Sequence, residues 1–279
     1  MAAVESLEKR LTIGNILEPG TYTIPTVPAG SQRGGRVGTP EDALVKESIA
    51  AKDLTWGKLQ TASAGMAPDR LKQVQAEIIR GISAVPVPPL TAQNPTTTLE
   101  KFFDVFPNIP AEVVNMPGDK GITALMIASV NGQWKNIQEL LTRGANPNLQ
   151  NELGETALMW AAAYNEISAV RELKKSQTLD YNVVDNLGWN ALMVAAWCGH
   201  DQIVMQLGRK TDVARKTTAG QNAAQLARDP RSPAQLRNNV EKTFQKVIDN
   251  LANYGPHPQQ GGRNRTYRSK TNSKKRGTR

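Results

Sequence analysis

Four glycines recur at nearly equal spacing in the second half of the chain, and each opens a variant of one short sequence. The stretches are GITALMIAS from Gly121, GETALMWAA from Gly154, GWNALMVAA from Gly188 and GQNAAQLAR from Gly220, so the gaps are 33, 34 and 32 residues. A unit of this length cannot bury its apolar face alone and must stack on copies of itself. The spacing therefore predicts a solenoid of stacked units, an architecture that presents extended surfaces for recognition.

Each unit has the pattern of two short helices. In the second unit Thr156 can cap a first helix, and Leu158 and Ala161 lie on one face of it. A second helix follows in residues 167–173, where apolar side chains recur at spacings of three. The third and fourth units replace the capping threonine by asparagine, which also caps helices well. The glycine ahead of each first helix is expected to adopt a positive φ in the connecting turn.

Asparagine marks a second position in the repeat, six residues before the glycine. Asn115, Asn148 and Asn182 hold this place in the first three units, and Ala214 holds it in the fourth. An asparagine suits a turn because its side chain can bond its own backbone and because it tolerates left-handed angles. We therefore expect a turn at each asparagine and a repeat that degrades in its fourth copy.

The glycine spacing, the Gly-x-Thr-x-Leu pattern and these asparagines resemble the ankyrin repeat over roughly residues 110–228. The resemblance implies an all-α fold, an ankyrin-repeat solenoid of three to four helix-turn-helix units with capping helices and with disordered or extended termini. The chain departs from the family pattern at Met126, Met159 and Met193, where the family prefers histidine.

Composition and patterning divide the chain into five segments. In chain order they are an extended or disordered segment at 1–40, two candidate helices within 41–83, a proline-rich linker at 84–98, a repeat domain with its caps at 99–252 and a basic disordered tail at 253–279. The candidate helices cover residues 41–54 and 68–83, and the second has one apolar stripe formed by Leu71, Val74, Ile78 and Ile82.

Both ends of the repeat domain are predicted to carry caps, because a solenoid needs end units with one polar face. At the N-terminal end, residues 99–116 have a bulky apolar face made of one leucine and three phenylalanines. At the other end, residues 233–251 form an amphipathic helix. The alternative for either helix is docking onto a partner.

The resemblance also implies a contact surface. Ankyrin units usually meet their partners with the turn around the glycine and with the end of the first helix. The residues at those positions are Lys120, Ile122, Asn131, Glu152, Leu153, Tyr164, Leu187, Trp189 and Trp197. Trp189 and Trp197 both fall at solvent-facing positions, and aromatic side chains exposed together are typical of binding hot spots. The alternative for this pair is packing against the N-terminal segment, whereas Trp160 takes a core position.

Three reactive side chains, those of Cys198, His200 and Asp201, fall within four residues and suggest a nucleophile with its base. The resemblance instead places Gly199 and His200 in the turn between the two helices of a unit. The sequence contains no glycine-rich phosphate loop, no Cys/His set with metal-ligand spacing and no paired-carboxylate motif. We therefore expect no enzyme activity, no catalytic residue, no cofactor and no metal.

The C-terminal tail carries most of the net charge. Between residues 263 and 279 the chain has eight basic residues and no acid, so the formal charge of +9 falls to +1 for residues 1–262. A disordered basic segment with an aromatic residue suits contact with the phosphate backbone of RNA or DNA. The residues predicted to bind nucleic acid are Arg263, Arg265, Tyr267, Arg268, Lys270, Lys274, Lys275 and Arg276. The alternatives are nuclear import, attraction to acidic proteins or membranes, and a tail that only keeps the protein soluble.

These features predict a non-enzymatic interaction or scaffold protein that recognises a protein partner with its ankyrin-repeat surface. The alternative is a structural subunit of a nucleoprotein particle, such as a ribosome or a virion, anchored by its extended ends. The chain lacks both an apolar run long enough to span a membrane and the apolar core of a secretory signal. Its single cysteine fits a reducing compartment. We expect an intracellular protein, cytoplasmic or nuclear, with an organelle left open.

Overall fold

The computed structural model of the protein describes residues 65–84 and 98–229, together with the single positions 232, 246 and 249. Within these ranges the chain forms ten α-helices and no strand. In chain order they are α1 (Pro68–Ala84), α2 (Thr98–Val105), α3 (Ala111–Val114), α4 (Ala124–Val130), α5 (Trp134–Thr142), α6 (Ala157–Ala163), α7 (Ile167–Leu173), α8 (Ala191–Cys198), α9 (Asp201–Leu207) and α10 (Ala223–Ala227).

The helices form two layers. The inner layer stacks α1, α4, α6, α8 and α10 in that order, and the outer layer stacks α2, α5, α7 and α9. Alanines such as Ala161, Ala162, Ala195 and Ala196 are fully buried between inner helices, where small side chains let the backbones approach closely. The prediction of an all-helical solenoid is confirmed. Among the described residues, no helix is both long enough and apolar enough to cross a bilayer.

The start of each repeat helix follows from local chemistry. The side chains of Thr123, Thr156, Asn190 and Asn222 each accept a hydrogen bond from the backbone N–H three residues later, at 3.3, 3.4, 2.9 and 2.9 Å respectively. The repeat glycines adopt left-handed φ angles between 75° and 79°. Both sequence-based expectations, for the caps and for the glycines, are confirmed.

The repeated asparagines connect one repeat to the next. Asn148 donates its side-chain N–H to the carbonyl of Thr178 at 2.7 Å and accepts a hydrogen bond from the backbone N–H of Asp180 at 2.9 Å. Asn115 makes the same pair of bonds to residues 144 and 146, and Asn182 accepts from the backbone N–H of residue 212. The expected turn is present at each of the three asparagines. Most of these side-chain hydrogen bonds, however, reach the following repeat.

In the part of the chain that the structure describes, the stack already includes α1, whereas the sequence placed the start of the repeat domain at residue 99. Helix α1 packs on α4 in the inner layer, while α2 packs on α5 in the outer layer, so α1 and α2 have the placement of a first, incomplete repeat. The guanidinium of Arg80 donates to the carbonyl of Met116 at 3.1 Å and ties α1 to the loop before α4.

The N-terminal end of the stack contains the apolar residues that the sequence marked. Side chains of the α1 stripe are buried at Val74, Ile78 and Ile82 and half-buried at Leu71. In α2, Leu99, Phe102 and Phe103 are fully buried, and Phe106 packs against them. The predicted segments at 1–40, 41–54 and 253–279 lie outside the described residues, as do nearly all of residues 233–251.

Candidate functional site

Four five-residue loops precede the repeat helices of the inner layer. They cover residues 118–122, 151–155, 185–189 and 217–221, and each is closed by a backbone hydrogen bond from its first N–H to its last carbonyl at 2.8–3.0 Å. In the third loop the Asp185 carboxylate also accepts from the N–H groups of Leu187 and Trp189, at 2.8 and 3.0 Å. In the second loop the side-chain oxygen of Asn151 accepts hydrogen bonds from the N–H groups of Leu153 and Glu155 in the same way. These bonds fix the conformation of each loop.

The loops are also bonded to one another, and we call the resulting surface the tip row. The N–H of Glu152 donates to the carbonyl of Lys120 at 3.0 Å, and the N–H of Asn186 donates to the carbonyl of Leu153 at 3.1 Å. The N–H of Thr218 donates to the carbonyl of Leu187 at 3.0 Å. The four loops therefore form one continuous edge along the solenoid.

The loops of the tip row contain six of the residues that the sequence predicted for partner contact, and all but Trp189 reach its surface. Lys120 and Glu152 are exposed on it, while Ile122, Leu153 and Leu187 are half-buried. The loop-to-loop hydrogen bonds themselves were not predicted from the sequence, because they join backbone atoms of repeats about 33 residues apart.

Two further predicted contact residues lie at the ends of inner helices. Tyr164 is half-buried at the end of α6, and its pKa is raised by burial and, to a smaller degree, by the neighbouring Glu155 and Cys198. Asn131 ends α4 and donates its side-chain N–H to the carbonyls of Ile127 at 3.0 Å and Ser83 at 3.4 Å. Asn131 therefore holds α1 against α4.

The expectation that Trp189 and Trp197 face solvent was wrong. Their exposed fractions are only 3% and 2%, and the two rings meet edge to face with their centroids 5.6 Å apart. Other repeats have Ile122 or Glu155 at the place of Trp189, so that position does not require a ring. The position of a residue in the repeat indicates only the direction of its Cβ. An indole is large enough to fold back over its own repeat, and burying the ring in this way is favourable. Both rings are part of the core.

Trp160 lies in the core, as the sequence predicted. Its exposed fraction is 8%, and its indole N–H donates to Glu155 Oε2 at 3.1 Å. The side chain of Asn151 donates to the same carboxylate oxygen at 2.9 Å. Glu155 thus links the second loop of the tip row to the helix that follows it.

Cys198, His200 and Asp201 take structural positions around the turn between α8 and α9. Burial raises the pKa of the Cys198 thiol to about 12, so the thiolate is scarce near neutral pH. The Nδ1 of His200 is hydrogen-bonded to the carbonyl of Ala162 at 2.8 Å, and burial lowers the pKa of the imidazole. Asp201 is the first residue of α9. In the part of the chain that the structure describes, no cluster of three or more His, Cys, Asp or Glu side chains could hold a metal ion.

A comparison with known protein families gives three ankyrin repeats at residues 125–217. This region is an array of ankyrin repeats. The predicted resemblance is thereby confirmed. The matched region runs from the second residue of α4 past the end of α9, and it contains the loops at 151–155 and 185–189 and the first residue of the loop at 217–221.

Two curated relatives named for ankyrin repeats match part of the chain. The chain is 31% identical over 126 residues to ankyrin repeat domain-containing protein 63 of Mus musculus, and 30% identical over 128 residues to the protein of the same name of Homo sapiens. Each match covers 41% of this chain and 32% of the relative. The chain therefore spans about a third of the length of the curated relatives it matches.

Ankyrin repeats form protein–protein interaction modules, and proteins built from them generally bind partners rather than catalyse reactions. This array is accordingly an interaction module. The sequence assigned the loops and the two tryptophans to one contact surface, but the structure separates them. The tip row lies at the surface with its loops held by hydrogen bonds, whereas Trp189 and Trp197 are buried beneath it.

Proposed function

We propose that the ankyrin array recognises a protein partner along its tip row, with Tyr164 at the inner side of the contact. The observation that carries this proposal is the ladder of backbone hydrogen bonds that joins the loops from Lys120 to Thr218. A surface that is rigid before binding loses little conformational entropy on binding, so more of the contact energy appears as affinity.

The chemistry of the tip row indicates the kind of partner. Exposed Lys120 and Glu152 carry opposite charges in the first and second loops, and half-buried Leu153 and Leu187 follow in the second and third loops. An extended partner segment that alternates charged and apolar side chains would complement this order, with its apolar side chains at the leucines. Ile122 and Asn131 lie at the N-terminal end of this surface.

Trp189 and Trp197 have a supporting role in this proposal. The N–H of Trp189 is bonded to Asp185 inside the third loop, and its ring packs on that of Trp197 in the last turn of α8. The pair therefore fixes the loop that presents Leu187 without meeting the partner itself.

The proposal is tested with a double variant of the full-length protein, Glu152→Lys with Leu187→Ala. Glu112→Lys with Ile109→Ala is the matched control, because it makes the same charge change and a similar apolar truncation outside the tip row. Wild type and control should retain the same partner from an extract of the native source, identified by mass spectrometry. The tip variant should bind that partner more weakly by about 2 kcal/mol, as expected for hot-spot residues.

Hydrogen exchange on the purified complex supplies the second measurement. The loops of the tip row should gain protection when the partner binds, and α5 should not. Equal retention of the partner by both variants, or protection only outside the tip row, would place the interface elsewhere.

A second candidate function is favoured by the charge of the tail. The eight basic residues between 263 and 279, with no acid among them, suit a structural subunit of a nucleoprotein particle whose tail contacts RNA or DNA. These residues lie outside the described part of the chain, so the support comes from the sequence alone.

A further inference from the structure

The outer layer of the solenoid presents a second surface with a different chemistry. Helices α7 and α9 are neighbours in this layer, and Arg171 and Met205 are the fifth residues of the two helices. Both side chains are exposed, and Met205, at 44%, is the large apolar side chain that the described residues leave exposed. The repeat register therefore places a cation and an apolar side chain at equivalent positions of neighbouring outer helices.

Basic residues surround this pair at the C-terminal ends of the two helices. Lys174 spans the boundary between the repeats and donates from Nζ to the carbonyl of Gln206 at 3.0 Å. Burial lowers the pKa of Lys174, and the positive charges of Lys210 and Arg171 lower it further. Arg171 and Lys210 are therefore each close enough to repel Lys174.

Two of these cations are not neutralised locally. Lys175, next in the chain, forms an ion pair at 2.6 Å with the buried carboxylate of Glu172. By contrast, within the described part of the chain the structure shows no ion pair and no hydrogen bond for the side chain of Arg171 or of Lys210. Basic residues near a helix C-terminus are favoured by the helix dipole, but this explains one cation at each helix end and not their crowding across two repeats.

We propose that Arg171, Lys174, Met205 and Lys210 form a docking surface, the basic ridge, for an acidic segment of a protein partner. A carboxylate can pair with the guanidinium of Arg171 in a bidentate geometry and relieve the repulsion among the cations. An apolar side chain of the same segment covers Met205, whose flexible thioether adapts to varied shapes. Charge complementarity of this kind mainly sets specificity and the rate of association.

A protein segment fits the basic ridge better than a nucleic acid does. The four residues include no aromatic ring on which a base could stack, and they place a thioether where a phosphate backbone has no apolar group to meet it. The ridge lies on the outer helices and shares no residue with the tip row, so it adds a second contact to the function proposed above.

The test uses full-length protein and a short fluorescein-labelled peptide of glutamates with a central leucine, followed by fluorescence anisotropy. The ridge variant is Arg171→Glu with Lys210→Glu, and the control is Lys72→Glu with Lys216→Glu, two exposed cations elsewhere. Both double variants change the net charge by the same amount and keep the basic tail. A difference in affinity between them therefore does not come from the tail or from the total charge. The ridge variant should weaken binding by about tenfold relative to the control.

Two further measurements locate the peptide. Lysine acetylation followed by mass spectrometry should show protection of Lys174 and Lys210 by the peptide, with Lys72 unchanged. Met205→Ala should weaken binding of the leucine peptide but not of a peptide with alanine in its place. Circular dichroism confirms that the variants fold.

Three results would overturn the proposal. Equal losses for the ridge and control variants would show that only total charge matters. Protection confined to residues outside the ridge would place the peptide elsewhere. A single-stranded oligouridylate that binds more tightly than the peptide, with the same dependence on Arg171 and Lys210, would identify the surface as one for phosphate.

Discussion

Gly154 and Gly220 share one backbone conformation and differ in their surroundings. Both have a φ of 79°, which L side chains rarely adopt. A Cβ at Gly154 would lie 2.7 Å from the backbone nitrogen of Asn186, whereas a Cβ at Gly220 would meet no atom within 4 Å. Comparing the same substitution at the two glycines therefore separates the free-energy cost of the left-handed φ angle from that of crowding the next loop.

Gly154→Ala should destabilise the protein more than Gly220→Ala. We expect about 1 kcal/mol for the Gly220 variant, from the backbone angle alone. For the Gly154 variant we expect about 3 kcal/mol, because the loop of the next repeat must also shift. Urea denaturation of both variants against wild type measures the difference. Equal losses of stability in the two variants would mean that neighbouring loops move apart easily and that the tip row is not rigid.

Residue-level features were predictable where their cause is local. The caps at Thr156 and Asn190 depend on atoms three residues away, so the sequence alone indicated them correctly. The bridges from Asn148 depend on a repeat about 30 residues later, and the burial of Trp197 depends on the size of its ring as well as on its position. The sequence carries no local signal for either.

At the level of elements, α1 forms the N-terminal end of the described part of the solenoid. Its stripe of Val74, Ile78 and Ile82 faces the core, and Arg80 bonds to the loop ahead of α4. The sequence predicted both the helix and the stripe. It did not predict that the stripe packs on α4, because periodicity shows which face is buried but not against what.

Ile78→Ala should lower the stability of the whole repeat stack. Ile78 is fully buried, and truncating such a side chain costs about 3 kcal/mol. Four of the five tryptophans lie in the repeats, so tryptophan fluorescence reports mainly on them. In urea this signal should shift together with the far-ultraviolet circular dichroism signal. Lys72→Ala, on the exposed face of the same helix, should change stability by less than about 0.5 kcal/mol. An unchanged fluorescence transition in the Ile78 variant would show that α1 is not part of the stack.

At the level of the whole molecule, charge separates the tail from the rest. The formal charge is +9, and the eight basic residues after position 262 account for all but +1 of it. The described part contributes only local features such as the basic ridge. Affinity for RNA and DNA should therefore depend mainly on the tail, and affinity for a protein partner on the array.

Deleting residues 263–279 should abolish binding of RNA and DNA and leave the melting temperature of the repeats unchanged. Each contacted phosphate on a single strand contributes about −0.7 to the log–log dependence of affinity on salt, so engaging half of the charges gives a slope of roughly −3. Anisotropy titrations with an oligouridylate at several salt concentrations measure this slope. Binding by the truncated protein with the same slope would move the site onto the array, and no binding by the full chain at low salt would leave the tail without this role.

The asparagine bridges have a mechanical consequence for the array. Asn115, Asn148 and Asn182 each bond across the junction to the following repeat, and Ala214, at the same place in the fourth repeat, has no side chain that could do so. Among the described residues, the bridge nearest the C-terminus is that of Asn182, between the third and fourth repeats, so a force that pulls on that end of the array loads this junction first. Because each repeat contacts only its neighbours, we expect the stack to unfold from that end one repeat at a time. The force needed for each step then depends on the asparagine bridge at that junction.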